Sequence, residues 1–251
     1  MIEFQDVTAG YGRRDVLRQL TFTVPEGSVT TLVGPNGCGK TTLLRAAAGQ
    51  LPLRRGTVAL DGKPLASYGR KELARTAAFM PQVRAVPAIT VEALVSHGRF
   101  PHLGFSRRMG EEDRQAVRQA MEATGVAHWS HRDLRELSGG ERQRVYLAMA
   151  LAQDTRVIFL DEPTTYLDPG RQFELLSLIA SLSGRGKTVV MVLHDLSHAL
   201  RYSTQVLLLE GGRGVFCAPP EELFASGELD RVFGVRGRRA GTDYYFTPKE
   251  G

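Results

Sequence analysis

Three short runs carry residues whose types and spacing point to phosphate chemistry. In GPNGCGKT, the residues Gly34, Pro35, Asn36, Gly37, Cys38, Gly39, Lys40 and Thr41 satisfy the phosphate-loop pattern. The run sits between an apolar stretch, SVTTLV, and a helical one, TTLLRAAAG, which is the strand–loop–helix context that the mechanism requires. Backbone N–H groups from Gly37 to Thr41 would cradle a β-phosphate, Lys40 would reach β- and γ-oxygens, and the Thr41 hydroxyl would ligate Mg²⁺. Thr42 is expected to support the far side of the loop. In RVIFLDEP, Val157 to Leu160 form an uninterrupted apolar run of the kind found in strands buried on both faces of a parallel sheet. Asp161 and Glu162 end that run. Ligands of open α/β sheets bind at the carboxyl ends of the strands, so both carboxylates are expected beside the phosphate loop. Asp161 suits Mg²⁺, and Glu162 can take a proton from an attacking water. The structural alternative for this acidic pair is a helix N-cap followed by a turn.

The third run, LSGGERQR, puts two glycines where a helix should begin. Ser138 followed three residues later by Glu141 reads as a capping box ahead of RVYLAMALA, so the N–H groups of Gly139 and Gly140 fall in the first turn. Glycine weakens a helix by ~1 kcal/mol relative to alanine, so a pair makes sense if something must approach the backbone closely. Helix N-termini favour anions. The alternative is a capped helix with incidental glycines.

Strand-like segments at Ile2 to Val7 and Leu17 to Val24 would form an antiparallel sheet ahead of the phosphate loop. After Gln82 the pattern turns helical, through TVEALVSHG, EEDRQAVRQAMEATG and the LSGGERQR helix, until the apolar strand at Val157 resumes an α/β alternation. In the middle helix Ala116, Val117, Ala120 and Met121 share one face and Gly125 offers a C-terminal cap, which describes core packing. TVVMVL reads as another buried strand, with His194 at its carboxyl edge. Helix DLSHALRYS, strand QVLLLEGG, a short strand ending near Cys217 and helix PPEELFAS follow. The last stretch, RGRRAGTDYYFTPKEG, is open between a closing strand and a regulatory tail.

The chain has 251 residues with 42% hydrophobic content, enough for a real core in one large or two modest domains. No apolar run approaches the ~20 residues that cross a bilayer, and the start MIEFQDV lacks the charged and apolar regions of a signal peptide. The expectation is a soluble, unexported protein. Two separated cysteines imply no disulfide framework. Cys38, at a helix N-terminus beside Lys40, is expected to have a lowered thiol pKa, so that alkylation would inactivate the protein and nucleotide would protect it. His97 and His102 stand five apart with no third ligand nearby, so no metal site is read there. The net charge of +5 suits a nucleotide, an anionic membrane surface or nucleic acid without choosing among them.

The order of these motifs resembles that of the nucleotide-binding subunits of ABC transporters, from about Ile2 to about Val235, and LSGGERQR matches that family's signature motif. The resemblance implies an α/β P-loop NTPase (RecA-like) core with a mainly parallel sheet, an N-terminal antiparallel β subdomain and an inserted α-helical subdomain. It divides a single ATPase domain into a nucleotide-binding core at 1–82 and 155–251 and a helical signature subdomain at 83–154. It implies that Tyr11 stacks on adenine, that Gln82 lies near Mg²⁺ and the attacking water, that Asp168 belongs to a loop between subunits, and that His194 contacts the γ-phosphate. By residue type alone Tyr11 could be a core or turn aromatic, Gln82 a strand terminator and Asp168 a helix cap.

The resemblance further implies ATP and Mg²⁺ as ligands and a head-to-tail homodimer. In such a dimer the signature residues Ser138, Gly139, Gly140 and Glu141 would cap the ATP held by the partner's phosphate loop. A separate polytopic permease would be contacted around 83–103, on the cytoplasmic face of the bacterial inner membrane, with a periplasmic or lipid-anchored binding protein beyond it. GRFPH at 98–102, LAQDT at 151–155, DEPTTYLD and VLHDL followed by ALRYS look most like the ATPases of bacterial iron-siderophore importers, a group that includes haem and cobalamin systems. A soluble ABC ATPase acting on nucleic acid or the ribosome is the alternative, compatible with a pI of about 9.4. Such proteins usually carry two cassettes or long coiled-coil insertions, which this chain lacks, so no nucleic-acid partner is expected. A small-molecule kinase would leave LSGGERQR unexplained.

Overall fold

A computed structural model of the chain describes residues 1–82, 86–104 and 108–249. It begins with strands β1 (Ile2–Tyr11), β2 (Arg14–Val24) and β3 (Val29–Val33), then helix α1 (Lys40–Ala47), β4 (Leu53–Leu60) and the short β5 (Lys63–Pro64). Helix α2 (Arg70–Thr76), β6 (Ala77–Met80), α3 (Val91–Ser96), α4 (Glu111–Ala123) and α5 (Gly139–Ala152) follow. Next come β7 (Val157–Asp161), α6 (Pro169–Ser183), β8 (Thr188–Val192), α7 (Leu196–Tyr202), β9 (Gln205–Glu210) and β10 (Arg213–Ala218). Helices α8 (Pro220–Ala225) and α9 (Glu228–Phe233) and the strand pair β11 (Val235–Ala240) and β12 (Asp243–Pro248) close the chain.

Two compact units emerge, one of residues 1–68 with 182–251 and one of residues 69–181. In the first, β1 pairs antiparallel with β2, as the two N-terminal apolar segments predict, and with β4 on its other side. Alternate residues Ile2 and Phe4 are buried, and the Phe4 and Phe22 rings stack with centroids 4.1 Å apart. The same unit holds β3 between β8 and β9, parallel to both, with β10 antiparallel on β9. All five residues of β3 and of β8 are buried, the continuous apolar pattern expected of strands covered on both faces. The C-terminal stretch left open by the sequence is an antiparallel hairpin, β11 on β12, fastened by Tyr244 against Phe224 (ring centroids 4.8 Å) and by the Gly237 N–H donating to Asp230 Oδ1 at 2.8 Å.

In the second unit β6 and β7 pair parallel, and α3, α4 and α5 pack on one another through Val91, Leu94 and Val95, through Val117, Ala120 and Met121, and through Val145, Leu147 and Ala148. The face predicted for the middle helix is the buried one, with Ala116 half-buried at its edge. Gly125 ends α4, its N–H donating to the Glu122 carbonyl at 3.0 Å.

The runs GRFPH and LAQDT turn out to be fasteners of this unit. Arg99, only 8% exposed, donates from Nε to Asp113 Oδ1 at 2.9 Å and from Nη1 to the Ala152 carbonyl at 2.9 Å, joining α4 to the end of α5. His102 Nε2 bonds the Gln153 carbonyl at 2.8 Å, and Gln153 Nε2 donates to the carbonyls of Ala74 and Ala77, the latter at 3.2 Å. Thr155 Oγ1 donates to the Val157 carbonyl at 2.7 Å. His97 stacks on Phe100 and His102 is spent on a carbonyl, and among the described residues no cluster of His, Cys, Asp or Glu could hold a metal ion.

The Asp113 carboxyl is pulled two ways: burial works to raise its pKa, while the Gly110 N–H, the Arg99 guanidinium and His102 together outweigh burial and hold it below the usual value. A carboxylate depressed in the folded state contributes stability above its unfolded pKa and loses it as pH falls through the folded one. Asp113→Ala should therefore destabilise the protein by about 3 kcal/mol at neutral pH, because it strands a buried guanidinium. The difference from wild type in urea unfolding should shrink as pH drops below the carboxylate range. An unchanged midpoint at neutral pH would contradict this account.

Candidate functional site

The phosphate loop leaves β3 at Gly34 and enters α1 at Lys40. Gly34 has φ 152, and a Cβ there would lie 2.2 Å from the Leu209 carbonyl oxygen and 2.7 Å from Cys38 Sγ, so no side chain fits. The Cys38 N–H donates to the Pro35 carbonyl at 3.2 Å, closing a turn around Asn36 and Gly37, and Leu43 N–H donates to the Gly39 carbonyl at 2.8 Å, starting the helix. Lys40, only 6% exposed, folds its ammonium back over the loop onto the carbonyls of Gly34 (2.6 Å) and Pro35 (3.1 Å). Phosphate oxygens arriving at this helix start would offer that ammonium stronger, charged acceptors. Thr42 is buried in the first turn of α1 behind the loop.

His194 follows β8, whose Val192 pairs with Leu32 of β3. Leu193 N–H donates to the Leu32 carbonyl at 3.4 Å, so His194 and the loop leave neighbouring parallel strands at the same edge. His194 is exposed, and the next residue, Asp195, caps α7 by accepting from the His198 N–H at 2.9 Å. Tyr11 ends β1 at the tight turn to β2, with 47% of its surface open to solvent. It is an exposed aromatic at the turn.

The second unit gathers the remaining site residues by the same parallel logic. Met80 pairs with Leu160 in the β6–β7 register, so the residues two further on, Gln82 and Glu162, stand side by side. Gln82 Nε2 donates to Glu162 Oε2 at 2.8 Å, and the same oxygen accepts from Thr165 Oγ1 at 3.2 Å. Asp161, at the last position of β7, is 2% exposed. Glu162 itself takes φ 52, a left-handed conformation that costs about 1–2 kcal/mol for a residue with a side chain. Residue type and spacing do not single out Thr165, nor Gln143, whose Nε2 donates to the Glu162 carbonyl at 3.2 Å. A buried glutamine on the inner face of the LSGGERQR helix is the signal that could have found the latter.

The capping box at the start of α5 is formed: Ser138 Oγ accepts from Glu141 N–H at 3.3 Å and Glu141 Oε2 accepts from Ser138 N–H at 2.7 Å. That backbone bond, more than any other contact, holds the Glu141 carboxyl below its usual pKa. The first-turn N–H groups of Gly139 and Gly140 have no intrahelical acceptor. Asp168 caps α6, its Oδ1 accepting from Arg171 N–H at 3.0 Å, and also pairs with the Arg171 guanidinium at 3.3 Å. Gln82, Val86, Gly139, Arg142, Gln143, Tyr146 and Tyr166 line a cleft of about 460 Å³ beside Glu162.

One expectation is corrected. Cys38 is 5% exposed, and burial raises its thiol pKa; the Lys40 charge and two backbone hydrogen bonds oppose the rise without cancelling it. The sequence places Cys38 beside a lysine at a helix start, but only packing reveals that desolvation wins there.

A family model described as "ABC transporter" matches residues 17–165. The chain is 42% identical to the ferric enterobactin transport ATP-binding protein FepC of Escherichia coli over 92% of this chain and 86% of that protein. It is also 42% identical to the iron(3+)-hydroxamate import ATP-binding protein FhuC of Bacillus subtilis over 90% of this chain and 85% of the relative. Among solved structures, the dimeric form of a bacterial ABC transporter cassette superposes with a TM-score of 0.78 at 27% identity, over 88% of this chain and 99% of that one.

Burial of Cys38, and half-burial of Cys217, whose thiol is pushed up to about 11, makes a direct prediction. Raised pKa values leave little thiolate, so iodoacetamide at pH 8 should label both residues at least ~10-fold more slowly than free cysteine, and urea should abolish the protection. Labelling of Cys38 in the folded protein at the free-cysteine rate, followed by mass spectrometry, would refute the buried assignment.

Proposed function

The chain belongs to the ABC transporter family, and on that premise we propose that it is the ATP-hydrolysing subunit of an importer, driving uptake of an iron(III)-siderophore complex through a separate membrane permease. ATP would seat its phosphates on the N–H groups of Gly37, Gly39, Lys40 and Thr41, with Lys40 exchanging the Gly34 and Pro35 carbonyls for phosphate oxygens. Tyr11 would stack on adenine. The donor chemistry of Thr41, a hydroxyl, and Asp161, a carboxylate, suits Mg²⁺, with Gln82 as a further oxygen ligand. Among the described residues no cluster of three or more His, Cys, Asp or Glu could hold a metal ion, so the cation would lean on substrate phosphates, as Mg²⁺ does. Bound there, it would neutralise charge on the β- and γ-oxygens.

Glu162 is the proposed general base, taking the proton of a water aligned for in-line attack on the γ-phosphorus, with Gln82 and His194 orienting that water. The observation that carries this reading is the Gln82–Glu162 hydrogen bond of 2.8 Å at the carboxyl ends of paired parallel strands. A neutral donor on one carboxylate oxygen fixes the side chain without supplying it a proton.

Two copies arranged head to tail would complete the site, Ser138, Gly139, Gly140 and Glu141 of one closing on the ATP of the other, with the Asp168 loop between them. The dimeric solved cassette supports this reading. Closure on ATP and reopening after hydrolysis would move the helical signature subdomain, 83–154, against a permease docked around 83–103, of which Val83–Ala85 lie outside the described residues. No described helix is long and apolar enough to cross a membrane, which suits a peripheral subunit on the cytoplasmic face of the inner membrane, served indirectly by a periplasmic or lipid-anchored binding protein. The iron-siderophore cargo is supported by the names of the relatives, FepC and FhuC.

Glu162→Gln should retain ATP binding and ATP-dependent dimerisation while turnover falls at least ~100-fold; near-normal turnover would remove Glu162 from the role of base. Extraction of the tagged protein in mild detergent should bring down a polytopic membrane protein, and the reconstituted complex should take up a ferric siderophore in preference to haem or cobalamin. Recovery of the protein without any membrane partner would overturn the transport reading.

A further inference from the structure

The two glycines that open α5 meet their own chain. A Cβ on Gly139 would lie 3.0 Å from the Tyr166 Cβ, and one on Gly140 would lie 2.7 Å from Leu167 Cδ2 and 3.3 Å from the Tyr166 carbonyl oxygen. Distances this short leave no room for a methyl unless Tyr166 and Leu167 shift. The Leu167 δ-methyl can turn aside only by repacking, because the residue is 7% exposed, and its backbone is held by the carbonyl accepting from Gln172 Nε2 at 2.9 Å and the N–H donating to the Thr164 carbonyl at 3.3 Å.

Tyr166 and Leu167 end the short segment that starts at Glu162. Both Glu162 (φ 52) and Tyr166 (φ 68) hold left-handed backbone, so the segment is strained at each end and must be held in place by what surrounds it. Inside it, Thr165 N–H donates to the Glu162 carbonyl at 3.3 Å and Thr165 Oγ1 to Glu162 Oε2 at 3.2 Å. At its start Gln143, one turn along α5 from the glycines, donates to the Glu162 carbonyl at 3.2 Å. Helix α5 thus grips the segment twice, by a side chain at Glu162 and by bare backbone at Tyr166–Leu167. A displacement at the bare end is passed through a hydrogen-bonded turn to the carboxylate.

We propose that Gly139 and Gly140 act within their own subunit as positioning residues: they form the flat seat for Tyr166–Leu167 that sets where the Glu162 carboxylate stands. This rests on the assignment of Glu162 as base and on the head-to-tail dimer, in which the same glycines face the partner's ATP. The pair of glycines then serves two sites at once, the partner's nucleotide through N–H groups and its own base through absent side chains.

Mixed dimers separate the two roles. One copy carries Glu162→Gln, so that only the phosphate loop of the other copy fires; that other copy carries Gly140→Ala. Its active site then contains an intact partner signature and a disturbed seat. Turnover is expected to fall at least ~10-fold below a dimer of wild type with Glu162→Gln, with ATP affinity within ~2-fold. Adding Leu167→Val to the Gly140→Ala copy, which removes the δ-methyl that the new Cβ would strike, should restore most of the loss. A clash with the partner's nucleotide would be blind to that second change. Because a clashing Cβ could also destabilise the fold, the urea unfolding midpoint of the Gly140→Ala chain is measured alongside and is expected to stay at that of wild type; a midpoint low enough to unfold the chain under assay conditions would overturn the positioning role.

Turnover equal to the reference dimer, or a loss that Leu167→Val leaves untouched, overturns the proposal. The converse dimer, with Gly140→Ala and Glu162→Gln in one copy and wild type in the other, tests the head-to-tail reading separately: full activity there would sink that reading and leave the same-chain rescue by Leu167→Val to decide the seat.

Discussion

Met80 lies opposite Leu160 in a parallel strand pair, and two residues beyond them the Gln82 amide holds the Glu162 carboxylate. Everything proposed for the reaction depends on that register. Parallel strands deliver their next residues at one edge of the sheet, and a slip by one residue would turn every side chain of the strand to its other face. Because β7 is buried at every position and β6 at Ala78 and Met80, such a slip would expose core, and the register is held by the same burial that stabilises the unit. The β3–β8 pair repeats the arrangement in the other unit, where it sends the phosphate loop and His194 out side by side.

The strain at the site is supported by structure that takes no part in the chemistry. Glu162 and Tyr166 adopt conformations that an isolated peptide would leave. Gln143, Thr165 and the bare start of α5 keep them there. Helix α5 is in turn anchored at its far end by Arg99 on the Ala152 carbonyl and by Gln153 on the carbonyls around the start of β6. GRFPH and LAQDT, two of the runs that suggested an iron-siderophore importer, therefore act in the chain itself as internal fasteners of the helix that the signature begins.

The phosphate loop shows the same separation of roles. Its glycines make space: a Cβ at Gly34 would run into the Leu209 carbonyl, and the lysine that the motif supplies is already buried and hydrogen-bonded to the loop's own carbonyls. Folding thus places a desolvated ammonium where charged acceptors are expected to arrive, and a neutral thiol at Cys38 fills the space behind.

What the amino-acid sequence determined by itself was local or periodic. The capping box at Ser138 and Glu141, the all-buried strands at Val29, Val157 and Thr188, the buried face of α4 and the strand–loop–helix around Lys40 are written in neighbouring residues, and the structure has each of them. The tertiary structure decided what depends on distant residues. Gln82 meets Glu162 across eighty positions, Arg99 finds Asp113 and Ala152, and Tyr166 and Leu167 come to rest on the two glycines. The C-terminal hairpin, open in the sequence, is fixed by Phe224 and Asp230. Cys38 marks the boundary most clearly: its neighbours in sequence argue for an acidic thiol, yet desolvation, a sum over atoms that only folding assembles, raises it instead.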